Sequence, residues 1–504
     1  MSRYVRWLLV AAMVAACKGP PTPTTTEASP GVSPTTSTTS AAVAHGTWDD
    51  EVVYAIMIDR FSRDGAVVDA DPAHPLKFWG GNINGVRKKL DYIQSLGATT
   101  VLLTPITSSA SYHGYDVANL TTVNKRFGTL EDYRELIAEC HKRKMKILFD
   151  FVANHTHPAA TLRKDHPDWY RAGPRRPPAI NDVIFNEKWA KTEFYGLADL
   201  DTEKEEVYQY LLAAARLWVG QGIDGFRMDA VTLIAPTFWH RFNADIRKLA
   251  PPDFFILGEI FTTDLDQLAE HEDAFDGYFD FDFQEAIPWN LTTEGHSAML
   301  SRVVRSRLKE SGRRSMPFRF IDNHDVSRFH VDLPGPSDER TNVDRTRLAL
   351  TQTMIAPGVP TILYGSEALL SNLVLPPEVK FDKARSAMSF DAKPELALTL
   401  QKLSAFRKRF HVNQARVRWL ANGPNFAPLE FVYLENPTTH ARAFVALNSS
   451  NMPRAFGFDL SMFPGWPKAG TLKDAVTGEE LAFAEGRLEA ALLAYGSKVL
   501  ELVP

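Results

Sequence analysis

Cysteine is almost absent from this chain of 504 residues, which contains only Cys17 and Cys140. Two cysteines cannot form a disulfide framework, so we expect the stability to come from a buried apolar core. Cys140 lies at the end of the helix-like run Leu136–Cys140. We interpret it as a small buried apolar residue rather than as a reactive thiol.

An excess of charge of one sign is also lacking. The chain has 56 Lys and Arg residues against 61 Asp and Glu residues, which gives a formal net charge of -5, and both signs are mixed along the sequence. Proteins that bind nucleic acid carry a basic patch or a basic domain. We therefore expect no nucleic-acid partner, and the composition leaves the oligomeric state unknown.

Long hydrophobic runs are missing too, because the apolar run Trp7–Ala16 is too short to span a bilayer. With Arg3 and Arg6 before it, this run has the form of a secretory signal peptide. It ends in Val14–Cys17, which resembles the lipobox of bacterial lipoproteins. The resemblance implies that Cys17 is lipidated and that the protein is exported and membrane-anchored, on the bacterial cell envelope or the periplasmic face. The alternative is an ordinary signal peptide that is cleaved nearby.

On the first interpretation, residues 1–17 are a lipoprotein signal peptide with its lipobox, and residues 18–46 are a tether. From Gly19 to Ala44 the chain is almost entirely Pro, Thr, Ser, Ala and Gly. Such a composition cannot bury a core and is typical of a flexible linker rich in polyproline II conformation. A tether behind a lipid anchor would hold a folded domain away from the membrane.

Between residues 47 and 410, short apolar runs alternate with segments of helical periodicity. This alternation favours a (β/α)8 TIM barrel. A doubly wound open sheet fits the alternation as well, but no Gly-rich phosphate loop follows any of the runs. The eight strand candidates are residues 52–58, 100–103, 146–149, 223–228, 254–257, 278–281, 318–321 and 361–364.

Two segments depart from the alternation. Residues 155–198, after the third strand, form an irregular stretch with five prolines. A loop this long in a compact barrel is usually functional, and we predict a small inserted subdomain beside the site. Residues 414–504 contain short strand-like runs separated by Gly478, Gly486 and Gly496. They predict a C-terminal antiparallel β-sandwich.

Carboxylates stand directly after four of the strand candidates: Asp150, Asp229, Glu259 and Asp325. Any one of them alone is better explained as a helix cap or an ion-pair partner. Together they should meet, because the C-terminal strand ends of a barrel converge on one mouth. Arg227 faces the same side as Asp229 and would keep it ionised. Glu259 follows an apolar run that would raise its pKa, and two such carboxylates are what retaining cleavage of a glycosidic bond requires.

These residues lie in strings that resemble the signatures of the alpha-amylase family, glycoside hydrolase family 13. The resemblance covers nearly everything from about residue 50 to the end of the chain. Each string is short and weak alone, whereas all of them in order with barrel-like spacing are highly specific. The strings are Tyr112–Asp116, Asp150–His155, Leu197–Asp201, Gly225–Ala230, Gly258–Glu259, Phe320–Asp325 and Gly358–Gly365.

The resemblance implies three catalytic residues. Asp229 would be the nucleophile that forms a covalent glycosyl-enzyme, and Glu259 would protonate the leaving oxygen and later activate water. Asp325 would bind sugar hydroxyls and stabilise the oxocarbenium-like transition state. Arg227 would hold Asp229 ionised, and Asp150 would help to orient Arg227.

The resemblance also implies four further residues around the sugar at the cleavage point. His155 and His324 would form hydrogen bonds with this sugar. Tyr115 would stack on the sugar ring, and His113 lies in the same motif.

A departure from the family pattern follows the nucleophile motif. Many members have a lysine and a histidine where this chain has Thr232 and Leu233. The usual lysine contact with glucose units on the leaving-group side is therefore missing, which leaves specificity for long starch chains open.

The resemblance further implies a calcium ion held by Asn154, Asp199 and the backbone carbonyl of Leu233, since calcium prefers oxygen ligands. Some members keep these residues without the metal, so a metal-free site is the alternative. We expect no organic cofactor.

The expected function is retaining hydrolysis of alpha-1,4-glucosidic bonds in starch, glycogen or maltooligosaccharides. A hydrolase specific for cyclodextrins or oligosaccharides, or a transglycosylase, stays open because the same carboxylates perform these reactions. A non-catalytic surface glucan-binding protein would be expected to have lost a catalytic carboxylate, and all three are present. A structural or adhesive lipoprotein would not need such a set of residues.

Overall fold

The computed structural model describes residues 48–171, 197–292, 315–375, 383–421 and 428–503, apart from residues 332, 334 and 336. Eight parallel strands close a barrel in the order of the sequence, and we number them as barrel strands 1 to 8. They are Val53–Ile56, Thr100–Leu103, Lys146–Phe151, Gly225–Met228, Phe255–Gly258, Gly277–Phe279, Met316–Arg319 and Val359–Leu363.

Closure of the barrel decides between the two predicted architectures. Val53 of strand 1 pairs with Thr100 of strand 2 on one side and with Thr361 of strand 8 on the other. An open doubly wound sheet would leave two edge strands, so the TIM barrel prediction is confirmed. All eight strand candidates contribute a barrel strand, and no end is shifted by more than two residues.

The barrel interior is a packed apolar core rather than a channel. Its layers consist mainly of Val53, Leu102, Leu148, Phe255, Leu257, Phe279, Phe318, Phe320 and Val359. Trp48 closes the N-terminal end, where its ring lies 4.5 Å from that of Phe255 and its Nε1 donates to the backbone oxygen of Asp253 at 3.1 Å. A site for a ligand must therefore lie at the opposite end, where the strands finish.

The helices surround the barrel. The periodicity of residues 83–96 predicts one helix, but two short helices are found because the backbone of Lys89 leaves the helical region at φ -105° and ψ 7°. The helices are Ile58–Phe61, Ile83–Lys88, Leu90–Ser95, Leu130–Lys142, Thr161–Asp165, Glu205–Val219, Pro236–Leu249, Leu265–Glu272, Phe281–Thr292, Glu339–Ile355 and Pro394–Phe410. Within the described ranges no helix is both long and apolar enough to cross a lipid bilayer.

Two short antiparallel ribbons lie at the loops after barrel strands 2 and 3. Thr107–Ser109 pairs with Val117–Val123, and His155–Thr156 pairs with Ala198–Asp199. The second ribbon joins the two ends of the predicted inserted subdomain. Most of that segment, residues 172–196, lies outside the described residues.

The C-terminal region is antiparallel, as predicted. A six-stranded sheet is formed by Arg416–Ala421, Leu429–Glu435, Arg442–Asn448, Ser497–Leu502, Gly470–Asp474 and Glu480–Phe483, and Arg454–Asp459 pairs with Arg487–Leu492 in a second sheet. Side chains alternate between the two faces of a strand. Phe431 and Tyr433 accordingly belong to a core shared with the second sheet, whereas Val432 and Leu434 belong to the barrel core.

Candidate active site

Arg227 is the centre of a buried charge cluster at the C-terminal mouth of the barrel. Its Nη1 donates to Asp150 Oδ1 at 2.7 Å and to Asp229 Oδ1 at 2.8 Å, and its Nη2 forms an ion pair with Glu259 Oε1. Strand pairing places Asp150 directly beside Arg227 and Met228 beside Gly258. The ends of strands 3, 4 and 5 therefore bring three predicted residues onto one guanidinium.

Burial sets the protonation of the carboxyls around this guanidinium. Burial raises the pKa of Glu259 to about 7, with Arg227 acting in the opposite direction. Burial likewise raises the pKa of Asp229, and it raises the pKa of Asp150 to about 8. A carboxyl with a pKa near neutrality can both give and take a proton at physiological pH.

A left-handed residue secures the second oxygen of Glu259. The backbone N–H of Ala230 donates to Glu259 Oε2 at 3.0 Å, and Ala230 has φ 49° and ψ 44°. This conformation costs energy for a residue with a Cβ and often marks a functional constraint. It directs the backbone donor that follows Asp229 toward the neighbouring carboxyl.

Asp325, after barrel strand 7, has a different environment. His324 Nε2 lies 3.0 Å from its Oδ2, and Arg385 Nη2 donates to its Oδ1 at 2.9 Å. Burial would raise the pKa of Asp325, but His324 and Arg385 outweigh burial and hold it well below its usual range. Asp325 therefore remains ionised at neutral pH, where Glu259 can still carry a proton.

Tyr115 forms one wall of the mouth. Its hydroxyl donates to Asp150 Oδ2 at 2.8 Å, and its ring lies parallel to that of His324 with centroids 5.2 Å apart. The ring of His113 lies 5.7 Å away on the same motif. Burial and the charge of Arg385 lower the pKa of His113 well below its usual value, so this histidine is neutral.

His155 lies behind this wall. Its Nε2 is 3.2 Å from the backbone oxygen of Tyr115, and its Nδ1 is 3.2 Å from Nδ2 of Asn154. The residue is buried at 1% exposure. The structure therefore places His155 as a support of Tyr115 at the edge of the cluster.

A cavity of about 30 Å³ borders the charge cluster. This volume is enough for one water molecule. Its lining includes Asp150, Arg227 and Glu259 together with Tyr115 and His324. The cavity thus connects the carboxylates with the aromatic wall.

Two of the residues implied for calcium lie in contact. Asn154 directly precedes the strand His155–Thr156, Asp199 lies on the strand paired with it, both residues are buried, and Asn154 Nδ2 donates to Asp199 Oδ1 at 3.2 Å. Leu233 lies in the 3-10 turn Val231–Leu233. In the ranges that the structure describes, no three acidic, histidine or cysteine side chains are arranged to hold a metal. Calcium takes six to eight oxygen ligands, of which Asn154 and Asp199 would supply two, and the calcium site stays a prediction.

One residue at the site, Arg385, has no counterpart in the sequence prediction. Arg385 contacts Asp325 and the backbone oxygen of His324, and its Nη1 lies 3.4 Å from the hydroxyl of Tyr112. Arg385 follows barrel strand 8 by some distance and stands in no apolar run. Its position depends on the path of a long loop, which sequence periodicity does not report.

Buried carboxyls with separated protonation states, at the mouth of a (β/α)8 barrel, define the site of a glycoside hydrolase. The comparisons with known proteins agree with this class. A family model described as alpha amylase, catalytic domain, matches residues 50–395. The chain belongs to the alpha-amylase family.

Three relatives show how far the likeness extends. Neopullulanase 2 from Thermoactinomyces vulgaris is 28% identical over 483 residues, which cover 90% of this chain and 78% of that protein. A cyclomaltodextrinase from Thermoanaerobacter pseudethanolicus is 28% identical over 63% of this chain and 57% of its own length. The crystal structure of an alpha-amylase from Geobacillus thermoleovorans, complexed with acarbose, has a TM-score of 0.79 and 28% identity, covering 91% of this chain and 99% of that one.

The curated relatives differ from this chain in length. The chain spans 64% of alpha-amylase 3 from Dictyoglomus thermophilum, compared with 78% of the neopullulanase. Membership of the family makes the chain an enzyme of the glycoside hydrolase class.

Proposed function

We propose that this protein hydrolyses alpha-1,4-glucosidic bonds of starch, glycogen or maltooligosaccharides with retention, through a covalent glycosyl-enzyme. The observation that carries the proposal is the shared guanidinium. Arg227 contacts Asp229 and Glu259 at once, so a nucleophile and a proton donor lie side by side in a buried site. Retaining glycosidases use two carboxyl groups that lie close together.

In the first step, a carboxylate oxygen of Asp229 attacks the anomeric carbon and forms the glycosyl ester. The bond to the leaving oxygen breaks, and Glu259 gives this oxygen its proton. A pKa of about 7 allows Glu259 to carry that proton in the free enzyme. In the second step, the ionised Glu259 takes a proton from water, and the water oxygen displaces Asp229.

Asp325, His324 and Tyr115 would bind the sugar at the cleavage point. The fixed negative charge of Asp325 suits hydroxyl donors and stabilises the positive charge that develops on the sugar ring. Tyr115 and His113 offer ring surface for the apolar face of the sugar. His155 would act on this sugar mainly by holding the backbone of Tyr115, given its contact there.

Preference for cyclodextrins or short oligosaccharides is the second candidate. Thr232 and Leu233 are buried, at 3% and 9% exposure, and neither brings a charge to the leaving-group side. The relatives named neopullulanase and cyclomaltodextrinase also support this candidate. A transglycosylase of the same mechanism would differ in the acceptor and would keep the carboxylates unchanged.

Export and anchoring through Cys17 remain part of the proposal, on the evidence of the sequence of residues 1–46. Cys17 lies outside the described residues. Metabolic labelling with a radioactive fatty acid in a bacterial host should label the chain and fail to label Cys17→Ser. Equal labelling of both proteins would reject the lipid anchor.

The function is tested by the release of reducing ends from soluble starch, maltoheptaose and a cyclodextrin, with the full chain in detergent. Asp229→Asn should abolish release, whereas Asp253→Asn should not, because Asp253 is exposed at the opposite end of the barrel. A faster rate on the cyclodextrin would select the second candidate. No release from any of the three substrates by the unchanged chain would reject the proposed function.

A further inference from the structure

Two loops meet beside the charge cluster, one after barrel strand 7 and one after barrel strand 8. The first carries His324 and Asp325, and the second carries Ala384 and Arg385. Arg328 crosses from the first loop to the second. Its Nε donates to the backbone oxygen of Ala384 at 2.9 Å, and its Nη1 donates to that of Tyr364 at 2.7 Å.

Arg385 extends from the second loop to the first and contacts the carboxylate of Asp325. Its Nη2 donates to Asp325 Oδ1 at 2.9 Å, and its Nε donates to the backbone oxygen of His324 at 3.0 Å. The side chain is 7% exposed, and Nη1 lies 3.4 Å from the hydroxyl of Tyr112. Charges interact strongly when they are shielded from bulk water.

A second link between the same loops is formed by Asp322. Ser366 Oγ donates to Asp322 Oδ1 at 2.8 Å, and the backbone N–H of Phe329 donates to Asp322 Oδ2 at 3.1 Å. This link joins the start of the second loop to the first loop, and Arg328 holds the backbone oxygen of Ala384, directly before Arg385. The guanidinium of Arg385 itself contacts Asp325, His324 and Tyr112 without a substrate.

We propose that Arg385 is a positioning residue of the reaction, which keeps Asp325 oriented toward the sugar at the cleavage point. The inference rests on the proposed role of Asp325. His324 and Arg385 occupy different oxygens of Asp325. His324 is the neighbour of Asp325 in the chain, whereas Arg385 reaches this carboxylate from the loop after another barrel strand. A group that is fixed in advance needs no reorganisation when charge develops on the sugar.

The charge of Arg385 also has a consequence for the other carboxyls. The negative charge of Asp325 raises the pKa of Asp229 and of Glu259. Removal of Arg385 leaves that negative charge less compensated. Both limbs of the pH–rate profile should therefore move to higher pH in a variant without the cation, whereas loss of a purely structural contact would lower the rate without moving the profile.

The test compares Arg385→Met and Arg385→Lys with the unchanged full chain on maltoheptaose, from about pH 5 to about pH 9. Arg385→Met should lower kcat by about 100-fold and shift the profile upward. Arg385→Lys keeps the charge but not the planar fork, so kcat should fall while the profile stays in place. Arg487→Met is the matched control, since Arg487 is exposed and forms an ion pair with the nearby Glu489 in the C-terminal region.

A double-mutant cycle with Asp325→Asn completes the test. If Arg385 acts through Asp325, Arg385→Met should lower kcat little further in the Asp325→Asn background. A full additional loss there, or a kcat of Arg385→Met within about threefold of the unchanged chain, would overturn the inference.

Urea unfolding of the unchanged chain, Arg385→Met, Asp325→Asn and the double variant separates this inference from the proposed function. A coupling between the two substitutions in the unfolding midpoints reports the ion pair whether or not the protein is active. Additive midpoints would count against the pair even in an inactive protein. An unchanged chain without activity would reject the proposed function alone.

Discussion

Replacement of Glu259 by glutamine should make the protein more stable at alkaline pH while it removes the activity. Burial raises the pKa of Glu259 from 4.5 to about 7. An acid whose pKa is raised in the folded state lowers stability at every pH above its unfolded pKa, and the loss is complete above the folded pKa. At roughly 1.36 kcal/mol for each pKa unit, ionised Glu259 costs about 3 kcal/mol at about pH 8 and about 1 kcal/mol at about pH 5.

Glutamine removes this cost but also loses one contact. In the unchanged protein the backbone N–H of Ala230 donates to Glu259 Oε2. In the variant the amide oxygen of glutamine can still accept from Arg227, but its amide nitrogen faces the N–H of Ala230 and cannot accept a hydrogen bond. One hydrogen bond is lost, at about 1 kcal/mol. We therefore expect Glu259→Gln to be more stable by about 2 kcal/mol at about pH 8 and nearly unchanged at about pH 5.

The assay is urea unfolding followed by tryptophan fluorescence at both pH values, with reducing-end release measured in parallel. Glu206→Gln, an exposed substitution on the helix Glu205–Val219, is the control and should change neither quantity. If Glu259→Gln were less stable than the unchanged chain at about pH 8, or equally stabilised at both pH values, the assignment of a buried acid with a raised pKa would be refuted.

Three further substitutions or treatments test other parts of the structure. Arg227→Lys should lower kcat on the order of 1,000-fold, because an ammonium lacks the fork that contacts three carboxylates, and near-normal turnover would contradict this. Trp48→Ala should lower the free energy of unfolding by about 3 to 5 kcal/mol in urea, with kcat per folded molecule unchanged, since Trp48 closes the far end of the barrel. EDTA should lower the urea midpoint, and added calcium should restore it, if Asn154 and Asp199 hold the ion that the sequence predicts. An unchanged midpoint would contradict the calcium prediction.

The sequence predicts the fold and part of the charge cluster because those signals are local. Asp150, Asp229 and Glu259 each follow directly on an apolar strand, so their convergence follows from the closure of the barrel. Alternation in the C-terminal strands predicts a two-faced sheet. It does not tell which face meets the barrel, because Val432 and Phe431 are equally apolar.

Long-range contacts limit what the sequence can predict. Arg385 reaches Asp325 from a loop after another strand, and the spacing of sixty residues between them carries no periodic signal. The break in the predicted helix at Lys89 is equally invisible to periodicity, since the apolar positions continue through it. In both cases the tertiary environment decides the local geometry.

The number of cations available to each carboxyl and the depth of its burial together explain the opposite protonation states within one site. Arg227 is shared among Asp150, Asp229 and Glu259, so burying all three as anions would leave negative charge uncompensated, and protons remain bound at neutral pH. The side chain of Asp325 is 29% exposed and contacts both Arg385 and His324, so it holds no proton. Within the shared group, Glu259 accepts a backbone N–H from Ala230, the residue that follows Asp229. The roles of acid and of fixed anion therefore follow from how two arginines are distributed over four carboxyls.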